Sequence, residues 1–182
     1  LPCGGDSMEL CVVRHTKLRV ESGLCYGRLD LELEEGFCQQ AERISQSLPL
    51  PFDLTYCSPL KRCTQLADYL GLSYQRDPRI REIDFGQWEG KRWDQIGKEA
   101  IDAWHADLYT YRFPGGESFG DLCDRVNHFL TSLPNKNILL ITHAGVIKAL
   151  HHLVEGVSIE AAAELSVDYG EMLQLNIQCS PR

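Results

Sequence analysis

The stretch NILLITHAGVIKAL, residues 137–150, runs from apolar and β-branched residues through a polar break at Thr142-His143 into apolar residues at helical spacing after Gly145. A run apolar on both faces suits a central strand of a covered parallel sheet, because a strand with one wet face would alternate. The segment therefore reads as a buried strand at 137–142, a turn carrying His143, and a helix through VIKALHHLV. MELCVV at 8–13 is a second strand of this kind, and it ends on Arg14 and His15. DLTYCS at 53–58 and MLQLNIQ at 172–178 are weaker strand candidates, the latter alternating like an edge or antiparallel strand. Phe37, Ala41, Ile44 and Leu48 fall at helical spacing, as do Leu60, Leu66 or Ala67, and Leu70 after Pro59. In GGESFGDLCDRVNHFLTSL, Ser118 and Asp121 give a helix start signal. Phe119, Leu122, Val126, Phe129 and Leu130 then form one stripe. Strands alternating with helices imply an α/β three-layer sandwich with a mostly parallel central sheet.

The chain has 182 residues, 43% of them apolar and 24% charged. That is the size and composition of one globular domain, placed at 8–182. Residues 1–7, LPCGGDS, lack a charged start and an apolar stretch, and read as a loose leader or expression remnant and not as a signal peptide. The least regular region, roughly 84–116, carries all three tryptophans and reads as a partly helical, cap-like insert over one sheet edge. No run approaches the ~20 apolar residues of a membrane span. A formal charge of -8 argues against nucleic acid or anionic membranes as partners. An anionic ligand must then be held by a local basic pocket. The eight cysteines are scattered without a CxxC pair, which favours reduced thiols in a cytoplasmic protein over a disulfide framework. Nothing in the sequence fixes the oligomeric state.

In open α/β sheets ligands collect beyond the carboxyl ends of the strands. His15 and His143 both follow strands, and Ala144 opens the helix after the second. CSPLKR at 57–62 is again strand, turn and helix start, aiming Arg62 at the same crevice. Arg14 and Arg62, with planar donor forks, suit a tetrahedral anion. Two arginines and two histidines describe a phosphate pocket for a small-molecule phosphate monoester. No P-loop, dinucleotide fingerprint or zinc-ligand spacing competes. His105, His128, His151 and His152 read as surface or helix-packing residues.

VVRHTK, GLCYGRLDLEL, SPLKRCTQLA, IREIDFGQWEG, PGGESFGDLCDRV and LLITHAGVIKAL, in that order from about residue 9 to 150, resemble the successive blocks of the histidine phosphatase superfamily, the phosphoglycerate mutase-like fold. Among its branches they are most similar to the α-ribazole phosphatases of cobalamin biosynthesis. The resemblance implies a phosphohistidine mechanism without metal or cofactor, with His15 as nucleophile. Arg14, Arg62 and a protonated His143 would be donors to the phosphoryl oxygens, where charge gathers in the transition state. Glu82 stands at the family's general-acid position, and a dianionic phosphate beside it would keep it protonated until the leaving oxygen needs the proton. Without the flanking DFGQWEG, Glu82 would read rather as an ion-pair partner of Arg79 or Arg81, and Asp84 is the second acid candidate. Ser118 is read as a helix cap and Glu117 as a buried partner for an arginine.

The sequence departs from the family's R-H-G-E-T-x-x-N, reading Arg14-His15-Thr16-Lys17-Leu18-Arg19-Val20-Glu21. Thr16 replaces a glycine, and Glu21 stands where an asparagine donates to phosphate, which an ionised carboxylate cannot do. The expectation is that Tyr26 and the backbone amides of the Gly23–Gly27 loop take over. Trp88, Trp93, Trp104, Tyr109 and Tyr111 read as core, with some lining a pocket for an aromatic base. The favoured activity is hydrolysis of α-ribazole 5'-phosphate. Two alternatives stand beside it: phosphoglycerate mutase-type transfer, for which the chain is short of site-shielding inserts, and a non-catalytic phosphate-ligand sensor, prompted by Thr16 and Glu21.

Overall fold

The computed structural model describes residues 7–49 and 51–178. Residues 1–6, most of the expected leader, lie outside these, and Ser7 already begins the first strand. Five strands, β1 (Ser7–Arg14), β2 (Leu54–Cys57), β3 (Gln75–Arg76), β4 (Ile138–Thr142) and β5 (Met172–Gln178), form one sheet in the order β3-β2-β4-β1-β5. The pairings β1 with β4, β2 with β4 and β2 with β3 are parallel, and only β5 runs antiparallel, against β1. The alternation in MLQLNIQ therefore marks an antiparallel edge strand, as its pattern predicts.

Helices cover both faces. On β1 and β4 alternate side chains enter different cores. Leu10, Val12, Ile138 and Leu140 meet α5 (Phe119–Ser132) and α6 (Ala144–Glu155). Cys11, Val13, Leu139 and Ile141 meet α1 (Phe37–Ser47) and α2 (Lys61–Tyr69). All five residues of β4 are fully buried. This is why its sequence shows no polar alternation: both faces are interior. The three-layer α/β sandwich is thus observed.

α5 starts where its sequence says: Ser118 Oγ accepts from the Asp121 amide at 3.1 Å and Asp121 Oδ2 from the Ser118 amide at 2.9 Å, satisfying two donors the first turn leaves free. α6 ends at Gly156, whose φ of +70° is the left-handed cap glycine adopts without a Cβ clash. Between β3 and α5 lie α3 (Trp93–Ile96) and α4 (Lys98–Ala106). Phe85, Trp88 and Phe113 of this segment pack into the same core as α5 and α6. After α6 comes the short α7 (Ile159–Glu164). The six described cysteines carry free thiols, and no helix among the described residues is long and apolar enough to cross a membrane.

The topology dictates where a site can form. The chain leaves β1 through α1 towards one edge of the sheet and leaves β4 through α6 towards the other. Between the carboxyl ends of these neighbours opens the crevice that such a reversal creates.

Candidate active site

His15 and His143 stand at that crevice, one residue past β1 and β4, with ring centroids 5.3 Å apart. The His15 amide donates to Thr142 O at 3.2 Å and His15 O accepts from the Gly170 amide at 3.0 Å, so its backbone is held on two sides. Its Nδ1 lies 2.8 Å from Thr16 O. A carbonyl only accepts, so Nδ1 carries the proton and Nε2 is left bare. The ring is almost fully buried. Burial, then the positive charge of Arg62 and of Arg14, hold its pKa well below the ordinary 6.5, against the opposing bond to Thr16 O.

His143 caps α6 and is fully buried. Its Nε2 lies 2.7 Å from Ser58 Oγ, and its Nδ1 accepts from Arg62 Nε at 3.3 Å. Burial, Arg62 and His15 hold it well below its ordinary pKa. The expectation of a protonated His143 is corrected for this state: a second cation beside Arg62, away from water, is disfavoured.

These shifts predict a pH dependence. A histidine in the unfolded chain titrates near 6.5, whereas both folded rings stay neutral well below that, so the unfolded chain binds protons the fold excludes. The stability from neutral burial is fully present above the unfolded value and is lost as pH falls below it, by about 1.4 kcal/mol per histidine per pH unit. Thermal melts in phosphate-free buffer should therefore show a midpoint falling between about pH 7 and pH 5. His15→Gln should make that slope shallower by one proton, and an unchanged slope would contradict the assignment.

Arg62 is fully buried on α2. Its Nη1 donates to Leu29 O at 2.7 Å and its Nη2 to Gly27 O, so each guanidinium nitrogen already holds one protein acceptor. The loop bearing those carbonyls is itself clamped. Glu89 accepts from the amides of Gly27 at 2.8 Å, Arg28 at 2.7 Å and Leu29 at 3.4 Å, and from Phe85 at 3.2 Å. A Cβ on Gly27 would stand 1.9 Å from Ile83 O, so only glycine fits this close approach. The sequence reading missed Glu89, whose only outward sign is the motif FGQWEG.

The expected role of the Gly23–Gly27 amides is corrected in part. The Gly27 amide is engaged by Glu89, and the Cys25 amide donates to Lys91 O at 2.7 Å. Glu21 is exposed and lies 3.9 Å from Arg92. Tyr26 is at the site: its hydroxyl is 2.8 Å from that of Tyr169. Tyr169, another residue the sequence did not announce, lies 4.1 Å from the Arg14 guanidinium, measured from its ring centroid, with its ring 5.8 Å from that of His15. Arg14 also donates through Nη1 to Val167 O.

Glu82 follows β3. Its Oε1 accepts from the Ile83 amide at 2.9 Å and its Oε2 from the Gly145 amide at 3.1 Å. The ion-pair alternatives fail, because Arg79 pairs with Asp77 at 2.7 Å and Arg81 donates to Pro78 O. Asp84 is turned elsewhere, to the Gly86 amide and, at 3.8 Å, to Arg28. Glu117 is the buried arginine partner expected, 2.8 Å from Arg125 and 3.2 Å from Arg28. Although burial alone would raise its pKa, the Arg125 guanidinium, the Asp84 amide and Arg28 hold its carboxyl below the usual range. Both arginines in turn donate to Glu82 O, at 3.0 and 3.4 Å, fixing the backbone that carries Glu82.

A cavity of about 750 Å³ opens beside these groups, with Arg14, Tyr26, Glu82, Ala144 and Gly145 in its wall. The remaining wall is mainly apolar and aromatic, including Leu24, Phe85, Leu108, Phe119 and the stacked pair Trp93 and Trp104, with rings 5.8 Å apart. Lys148, His105, Glu160 and Glu164 supply its polar contacts. His105 is thus a wall residue, whereas His151 and His152 hold Glu155 and Val157 O locally, as helix-packing residues do.

An imidazole with a bare Nε2, guanidinium groups near it and a carboxyl in the wall of a mainly apolar cavity thus gather at the strand ends of one mixed α/β sheet. Residues 10–180 match the model of the histidine phosphatase superfamily (branch 1), and the chain belongs to that family of phosphatases, which act on small phosphorylated substrates. It is 28% identical to phosphoserine phosphatase 1 of Hydrogenobacter thermophilus, over 94% of this chain and 93% of that one. With the adenosylcobalamin/alpha-ribazole phosphatase of Escherichia coli it shares 29% identity, over 90% and 87% of the two chains. The mycobacterial glucosyl-3-phosphoglycerate phosphatase superposes with a TM-score of 0.81 at 26% identity, over 93% of this chain and 90% of that one. The fold is phosphoglycerate mutase-like.

Proposed function

We propose that this chain is a phosphomonoesterase working through phospho-His15 and that its ester carries a bulky, largely apolar leaving group, α-ribazole 5'-phosphate fitting best. His15 Nε2 attacks phosphorus while the bond to the leaving oxygen breaks, and Glu82 gives that oxygen its proton. A water then attacks phospho-His15, giving its proton back to Glu82 and releasing phosphate. Arg14, Arg62, His143 and Tyr26 surround the phosphoryl group, and Ala144 presents the first turn of α6 to it, where helix amides lack intrahelical partners. In this reading 8–182 is a single catalytic domain, 84–116 caps the leaving-group cavity, and the unpaired thiols suit a reducing cytoplasm.

One observation carries the substrate class: Glu82 lies in the wall of a cavity whose lining is otherwise mainly apolar and aromatic. An amino acid or sugar-acid ester would leave this surface wet, whereas an aromatic base would cover it. Area of this kind is worth roughly 25 cal/mol per Å² removed from water. In a screen of monophosphate esters, kcat/KM for α-ribazole 5'-phosphate should exceed that for phosphoserine and 3-phosphoglycerate by about 100-fold or more, the scale at which whole-group pocket contacts discriminate. Preference for phosphoserine, or isomerisation of 3-phosphoglycerate, overturns the reading.

A further inference from the structure

Among the described residues, two buried side-chain polar atoms lack a hydrogen-bond partner, Thr16 Oγ1 and Arg14 Nε. They belong to the residues immediately before and after His15 in the chain. Native interiors leave few such groups unpaired, since a buried hydroxyl without a partner forfeits its hydration with no return. Thr16 is fully buried, and its hydroxyl makes no hydrogen bond within the protein. Its carbonyl already holds His15 Nδ1 at 2.8 Å, so the residue is fixed against the imidazole. The other candidates for an extra donor are engaged or distant: the Gly27 and Cys25 amides bond Glu89 and Lys91, and Glu21 sits with Arg92 in solvent.

We infer that the Thr16 hydroxyl is a further donor to the phosphoryl oxygens on His15, beside Arg14, replacing the side-chain donor that a carboxylate at position 21 cannot provide. The inference rests on the phosphohistidine reading and deepens it by adding a phosphoryl-binding residue. The hydroxyl keeps its proton and donates a hydrogen bond to an oxygen that is anionic both in the free phosphate and in the transition state. It should therefore aid ground-state binding as well as turnover.

The test compares Thr16→Val, which keeps shape and removes the hydroxyl, with Thr16→Ser, which keeps it, and with Thr16→Ala should the valine variant not fold. Binding of inorganic phosphate and of orthovanadate is measured by calorimetry, alongside the melting temperature of the ligand-free protein. Thr16→Val should weaken both anions by roughly 10- to 100-fold, and Thr16→Ser should stay within about threefold of wild type. The ligand-free melting temperature of Thr16→Val should be unchanged or raised, because an unpaired polar group has been replaced by a methyl. Equal anion affinity in wild type, Thr16→Val and Thr16→Ala, with a lowered melting temperature, makes the hydroxyl a packing feature and overturns the inference while leaving the phosphohistidine reading intact. A wild type that binds neither anion overturns both.

Discussion

Replacing His15 with alanine should lower hydrolysis of every phosphate ester by about 10⁴-fold or more, the scale seen when a covalent nucleophile is removed. The expectation follows from geometry that offers no substitute. Among the described residues His143 is the imidazole packed against His15, with ring centroids 5.3 Å apart, and both its nitrogens are engaged, by Arg62 Nε and Ser58 Oγ. The described thiols nearby are also unsuited: Cys63 lies 3.6 Å from His143 Nε2, but burial pushes its pKa up to about 12, so it is not a thiolate at neutral pH. Quenching wild type with labelled ester should trap an acid-labile, alkali-stable phosphoryl group on a peptide containing His15. Turnover surviving in His15→Ala, or label on another residue, would remove the nucleophile assignment.

Glu82→Gln should divide substrates by their leaving groups. For an alkyl ester, whose alkoxide must be protonated as it departs, the loss should be on the order of 10² to 10⁴ in kcat. For p-nitrophenyl phosphate, whose phenolate leaves without help, the first step should be little affected and phospho-His15 should accumulate. Gly145→Ala should copy this pattern without touching the acid itself. A Cβ there would stand 2.1 Å from Glu82 Oε1, displacing the carboxyl from the two amides that orient it. An equal loss on both ester types in the first step, read as the burst of phospho-His15 formation, would instead make Glu82 a structural residue.

The strands were legible because burial on both faces removes polar alternation. MELCVV and NILLIT read as central strands and are the two at the centre of the reversal, β1 and β4. The start of α5 was legible because Ser118 and Asp121 satisfy each other's amides within one turn. His15 and His143 were legible as a pair, since a residue just past a parallel strand has little choice of location. Less could be read of what surrounds them. Arg62 and His143 are 81 positions apart and Ser58 and His143 are 85 apart. Nothing local to Glu89 shows that it clamps the loop whose carbonyls hold Arg62, nor does anything near Tyr169 place it over Arg14.

From order and periodicity alone came the layered α/β class, the strand ends that carry His15 and His143, and, through its motifs, the family. These are local quantities: a side chain's period and its distance past a strand end do not depend on distant partners. The protonation of the two imidazoles, the orientation of Glu82 by the amides of Ile83 and Gly145, and the unpaired hydroxyl of Thr16 were decided only in three dimensions. Each depends on desolvation and on donors brought from remote parts of the chain, and those exist only once the layers have closed.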